Sequence, residues 1–225
     1  MSNPTFMVPL ENEAANSTAG WQCLGRLLEY PGADFAARLT EAARMMPGWS
    51  VAVRQAWERF SSAVGRMSPD EREELYTATF DLCPACVPYV GIHLFGEENY
   101  RRGRFMAALL ERYAEEGFAT GGELPDHLAV LLRFAAQTED AEQRELTQFC
   151  LLGPLRRMQE SLAEEHPYRA LLEMVEEALK ETHPGVAPAP CPLAGVKEVS
   201  AGGCGCSASF LAGIQGGGGN GKEEL

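Results

Sequence analysis

From Trp21 almost to Thr182, apolar residues recur at spacings of three and four, the period of an amphipathic helix. Leu24, Leu27 and Leu28 begin the pattern, and Pro31-Gly32 ends the first helix. A second helix, with Asp34 as its cap, carries Phe35, Leu39, Ala42 and Met46 and stops at Pro47-Gly48, so the two form a helical hairpin. Trp49, Val53, Trp57, Phe60 and Val64 repeat the spacing. Ser68-Pro69-Asp70-Glu71 then spells a helix start, with Ser68 as N-cap, Pro69 at the first helical position and Glu71 closing a capping box. That helix points Leu75, Tyr76, Thr79 and Phe80 inward and breaks across residues 81–88, where Pro84 and Pro88 forbid continuous helix. The short apolar run from Tyr89 to Phe95 fits either a helical turn or an extended passage.

Tyr100, Phe105, Met106, Leu109, Leu110 and Tyr113 form a long stripe ending near Gly117. Pro125 and Asp126 read as the opening of the next helix, with Leu128, Leu131, Leu132 and Phe134 on its core face and His127 inside its first turn. Another helix starts near Ala141 with Leu146, Phe149 and Leu152, is kinked or divided by Gly153-Pro154, and continues through Leu155, Met158 and Leu162. Pro167 opens the last, which turns Leu171, Leu172, Val175 and Leu179 inward. No alternating strand pattern occurs, so the expected fold is all-α, a single helical-bundle domain of about eight to ten helices. Its expected bounds are residues 20–182, after a flexible arm at 1–19 and before a disordered tail at 183–225 that is rich in Gly, Pro and Ala.

Composition narrows the function. The formal net charge of −13, from 32 acidic and 19 basic residues among 225, disfavours unspecific binding to nucleic acid or anionic lipid. It favours a basic partner. No apolar run suffices to span a bilayer, and residues 1–20 lack a basic, apolar leader, so a cytoplasmic protein is expected. Seven cysteines are an odd number for a disulfide framework, and reduced thiols follow.

Two places could carry chemistry. Tyr76, Phe80 and Asp81 close one helix, while Glu123, Pro125, Asp126 and His127 precede another. If these ends meet, they frame a groove with aromatic walls and an acidic rim, suited to a short segment bearing apolar residues and arginine or lysine. Tyr76 and Phe80, at i and i+4, also fit as plain core residues, and His127 as a surface residue beside a helix start. The second place is Cys83-x-x-Cys86, whose spacing suits a metal or a redox pair, with His183, Cys191, Cys204 and Cys206 as further ligand candidates. A metal-binding or thiol-redox protein is therefore the alternative reading. Cys23 and Cys150 lie in apolar patterns and read as packed thiols. No nucleophile elbow, Walker loop or H-E-x-x-H motif is present, which argues against an enzyme.

Taken in order, Tyr76, Thr79-Phe80-Asp81, Gly96, Arg101-Arg102-Gly103, Tyr113, Gly117, Glu123-Leu124-Pro125-Asp126-His127-Leu128 and Phe134 resemble the nitrate reductase assembly chaperones of the delta-subunit or NarJ type, within the wider TorD/DmsD group. The resemblance covers about residues 21–179. It implies a cytoplasmic all-helical chaperone that is not part of the finished enzyme. Such a protein binds the N-terminal segment of an apo molybdoenzyme catalytic subunit and holds it for insertion of the molybdopterin guanine dinucleotide cofactor, with no tightly bound cofactor of its own. A homodimer is compatible with it. The resemblance assigns partner-peptide binding to Tyr76, Phe80, Asp81, Glu123, Pro125, Asp126 and His127. The Cys83 to Tyr89 stretch and the cysteine-bearing tail depart from the family pattern and leave the client open among nitrate reductase and related molybdoenzymes.

Overall fold

The computed structural model describes residues 10–190, with side chains placed from residue 19 onward. Cys191, Cys204, Cys206 and all of the tail expected at 183–225 beyond residue 190 lie outside the described residues. The helices are α1 (Leu10–Leu27), α2 (Phe35–Met45), α3 (Val51–Val64), α4 (Pro69–Phe80), α5 (Val90–Phe95), α6 (Tyr100–Glu115), α7 (Leu128–Ala135), α8 (Asp140–Leu146), α9 (Leu152–Glu160) and α10 (Pro167–Thr182). Among the described residues the only extended pairing is an isolated antiparallel bridge between Tyr89 and His127. The chain is thus an all-α helical bundle, as its periodicity predicts.

Helix α7 is the centre. Seven of its eight side chains are buried, Arg133 being the exception, as befits a helix surrounded by others. α1 packs along it, α2 folds back on α1, and α3 lies along α10, which also carries α9. Trp21 Nε1 donates to Thr182 Oγ1 at 3.2 Å, tying α1 to the end of α10. The Ser68 capping box forms as its residues dictate: Ser68 Oγ accepts from Glu71 N–H, and the Glu71 carboxylate accepts from Ser68 N–H.

Several local expectations are corrected. α1 begins at Leu10, well inside the stretch read as a flexible arm; Leu10, Glu11, Glu13, Ala14 and Ala15 are good helix formers without an apolar stripe to announce them. Asp34 stands at the N-cap of α2, but its carboxylate binds Arg38 instead of capping. The stripe of α6 is narrower than its sequence suggests: Phe105, Leu109 and Tyr113 are buried, while Tyr100 and Leu110 face solvent. The break before α9 lies upstream of Gly153-Pro154, in a π-helical turn over Thr147–Leu151, where Leu152 N–H reaches back to Thr147 O. Widening that turn places Pro154 in the first turn of α9, where its missing N–H costs nothing.

Close helix contact at Gly25 sets the spacing of α1 and α7. A Cβ there would lie 2.9 Å from the Ala129 carbonyl oxygen and 2.8 Å from Arg133 Cγ, whereas one on Gly103 of α6 would meet nothing within 4 Å. Gly25→Val is therefore expected to destabilise the fold by about 1–3 kcal/mol, and Gly103→Ala to stabilise it by about 0.5–1 kcal/mol, both read from urea midpoints.

Candidate functional site

α4 ends where Phe80 gives way to Asp81, and the chain folds back over its last turn: Ala85 N–H and Cys86 N–H donate to the carbonyls of Ala78 and Thr79 at 3.4 and 2.9 Å. Cys83, at φ 51°, is the non-glycine residue that makes the reversal possible. The returning strand of loop then meets the segment before α7. Val90 N–H donates to Asp126 O at 2.8 Å and Leu128 N–H to Pro88 O at 2.9 Å. The two ends singled out in the sequence do come together.

Asp126 is where the reading changes most. It has no exposed surface, and it neither opens α7 nor faces a groove. Its carboxylate receives Arg102 Nε at 2.8 Å and Nη2 at 3.4 Å, from α6. Gly91 makes the room, since a Cβ there would stand 2.6 Å from Asp126 Oδ2. Pro125 is also buried before the helix, and its carbonyl accepts from Tyr113 OH at 2.8 Å. These two residues position the segment from within. The helix start belongs to His127, whose Nδ1 accepts from Ala129 N–H at 3.1 Å. His127 is only 4% exposed, so it is no surface residue, and burial lowers its pKa from the ordinary 6.5 against the opposing pull of Glu123 and Asp126. A neutral ring is what an accepting N-cap needs. Tyr89 stacks edge-on against it, with ring centres 5.5 Å apart, and Arg102 lies 5.5 Å over the Tyr89 ring.

Between α1, the end of α4 and the start of α7 runs a groove of about 790 Å³. Of the residues predicted from sequence, Tyr76, Phe80, Asp81, Glu123 and His127 line it, and Pro125 and Asp126 do not. Tyr76 and Phe80 serve as core as well: they are 9% and 7% exposed and stack on Tyr168 at 6.0 and 4.8 Å. The rim is mixed in charge and not simply acidic, because Arg26, Arg38 and Arg133 also line it. Each of these is already matched: Arg26 with Glu41 at 3.0 Å, Arg38 with Asp34 at 2.7 Å, and Arg133 with Glu29 at 2.8 Å. Asp81 and Glu123, both exposed, have no ion-pair partner among the described residues. Burial first, and then the charge of Glu123, raises the pKa of Tyr76 and of Tyr89.

The sequence missed Tyr30, Tyr89 and Thr120 as lining residues, and Arg102 as the partner of Asp126. Arg102 carried a usable signal, an arginine one turn into a helix in a chain where a buried carboxylate needs a cation. Tyr30 carried none, since it enters from the loop after α1. Cys83 and Cys86 are both free and present no common site: Cys83 faces solvent, while Cys86 is buried, its Sγ donates to Met158 O, and burial pushes its pKa up to about 11. That is the reverse of an activated thiol. Cys23 and Cys150 are buried, as their patterns suggest, with pKa pushed up to about 11 and about 12. His183 is buried against Trp21, and no group of three or more metal-ligating side chains occurs among the described residues.

Comparison with known proteins agrees with this architecture. A family model described as "Nitrate reductase delta subunit" matches residues 47–179. A curated relative, the probable nitrate reductase molybdenum cofactor assembly chaperone NarJ of Bacillus subtilis (strain 168), is 30% identical over 128 residues, which is 53% of this chain and 65% of that protein. The matched stretch thus spans just under two thirds of that relative.

Breaking the internal pair should show in stability. Asp126→Ala leaves Arg102 without its partner and is expected to cost about 3 kcal/mol in urea unfolding, with faster amide exchange at Val90 and Leu128. All four histidines, His93, His127, His166 and His183, have their pKa lowered in the fold, chiefly by burial. The unfolded chain then binds protons first, so their contribution is complete above about pH 6.5 and is lost as pH falls toward the lowered folded values. Urea midpoints should accordingly fall between pH 7.5 and 5.5. His127→Asn keeps an acceptor for Ala129 N–H without the titration and should fall less steeply; an equal slope would remove His127 from the cause.

Proposed function

The chain belongs to the nitrate reductase delta subunit family, and from that premise we propose that it is an assembly chaperone for a molybdenum-containing reductase. It binds the N-terminal segment of the apo catalytic subunit and holds that subunit open while the molybdopterin guanine dinucleotide cofactor is inserted, then releases it. The protein acts by binding and not by catalysis, carries no cofactor of its own, and works in the cytoplasm. Nitrate reductase is the first-choice client. No helix among the described residues is long and apolar enough to cross a membrane, which accords with a protein that waits beside its client without joining a membrane complex.

One observation carries the placement of the binding site. The groove is walled by aromatic side chains from three separate parts of the chain, Tyr30, Tyr76 and Tyr89, and its floor is stitched by the buried pair and the Tyr89–His127 bridge. A partly apolar cleft in which Tyr30 and Tyr89 keep part of their side chains in solvent suits capture of an extended or helical segment, because large aromatic surfaces bind at small cost in side-chain entropy.

Affinity capture of the full chain from its host grown anaerobically, with mass spectrometry of what is retained, is expected to bring down a molybdopterin-binding catalytic subunit. Tyr30→Ala should reduce the retained subunit about tenfold or more without lowering thermal stability below that of a control such as Val51→Ala, exposed and away from the groove. Capture of no such subunit would overturn the function, and equal capture by Tyr30→Ala would overturn the placement.

A further inference from the structure

α6 has a second apolar stripe that the fold does not bury. Phe105, Leu109 and Tyr113 face the core, while Tyr100, Gly103, Ala107, Leu110 and Ala114 recur three and four residues apart along another side of the helix. All five are exposed, Tyr100 at 70% and Leu110 at 50%. That spacing is the seam of a coiled coil. Two further features of α6 are unfavourable in the single chain. Gly103 sits inside a 16-residue helix, where glycine is among the least favourable residues, although a Cβ there would meet nothing within 4 Å. The charges also run against the helix dipole: Arg101 and Arg104 stand near the start, and Glu111, Glu115 and Glu116 near the end. Arg112 is divided among Glu115, Glu116 and Glu142, so that end stays acidic. None of the seam residues lines the groove.

We propose that this seam is an interface between two copies of the chain, with α6 lying antiparallel on α6 of the second copy about a two-fold axis near Ala107. A second copy is the occupant that accounts for the stripe, the glycine and the charges together. In the antiparallel arrangement the basic start of each helix meets the acidic end of the other, Arg101 and Arg104 against Glu111 and Glu115, at both ends of the contact. Large and small positions are self-complementary as well. Leu110 falls beside Gly103 of the second copy and Tyr100 beside Ala114, while Ala107 lies near its own equivalent, so the two backbones can approach closely. A parallel pairing would set arginine on arginine, and a partner of one charge would match one end of α6 and be repelled by the other. One 16-residue helix on its copy makes a contact at the small end of specific interfaces, so the pair should form and dissociate in the micromolar range. The inference does not depend on what the groove binds.

Sedimentation velocity of the full chain from about 1 to about 200 μM is expected to show the mass rising from one chain toward two. Ala107→Glu sets two like charges beside the axis and should raise the dissociation constant about tenfold or more. Because residue 107 is exposed, the diluted variant should melt with the parent. Gly103→Gln separates the interface from helix stability: diluted to the single chain it should be at least as stable as the parent, since glutamine is the better helix former, yet it should dimerise about tenfold more weakly. The charge variants Arg101→Glu/Arg104→Glu and Glu111→Arg/Glu115→Arg should each remain monomeric and should form a mixed dimer when combined in equal amounts. A parent that stays monomeric at about 200 μM would overturn the proposal. So would a dimer that Ala107→Glu leaves as tight as the parent's, or a pair of charge variants that do not associate on mixing.

Discussion

Asp126 carries its charge wholly out of water, and Arg102 is the group that makes this tolerable. A carboxylate buried without a counter-ion would cost several kcal/mol or lose its charge, so the segment before α7 can sit where it does only if α6 supplies the guanidinium. α6 in turn can deliver it only past Gly91, whose missing side chain leaves the passage open. One pair therefore clamps α5, α6 and the entrance of α7 into a single arrangement. Tyr89 lies under the same guanidinium and against His127, and the shape of the groove wall follows from that stack.

The electrostatics of the remainder divides into what is settled inside the protein and what is left over. Imidazoles are kept neutral by burial, and His127 and His166 then serve as acceptors at helix starts, each through Nδ1. Arg26, Arg38 and Arg133, on α1, α2 and α7, are matched by carboxylates of the same or a neighbouring element. Asp81, at the end of α4, is among the exposed carboxylates left without an ion-pair partner in the described residues.

Much of the fold is legible because helix signals are local. Ser68, Pro69 and Glu71 specify a start by themselves, and the apolar spacing of α3, α4 and α10 names their buried faces. The groove was partly legible, since the motif residues Tyr76, Phe80, Asp81, Glu123 and His127 all line it. What could not be read was which polar residue faces inward. Asp126 and His127 are neighbours with similar local cues, and only the position of Arg102, 24 residues upstream in the chain, decides that the carboxylate turns in and the imidazole caps. Tyr100 and Leu110 fail for a related reason: periodicity marks an apolar stripe, but the width of stripe that is covered depends on how many helices pack against it.

The walls of the groove are far apart along the chain. Tyr30 follows α1, Asp81 closes α4, and Arg133 lies on α7, while the Trp21–Thr182 hydrogen bond joins residues 161 positions apart. During synthesis the first of these walls leaves the ribosome long before the last, and α7, whose burial holds α1 in place, must be complete before the cleft has a floor. A nascent chain ending before Leu128 has the aromatic side chains of the cleft but no cleft. The cleft thus arises late and nearly all at once, after translation has passed most of the domain, so an incomplete copy presents the rings without the enclosed surface.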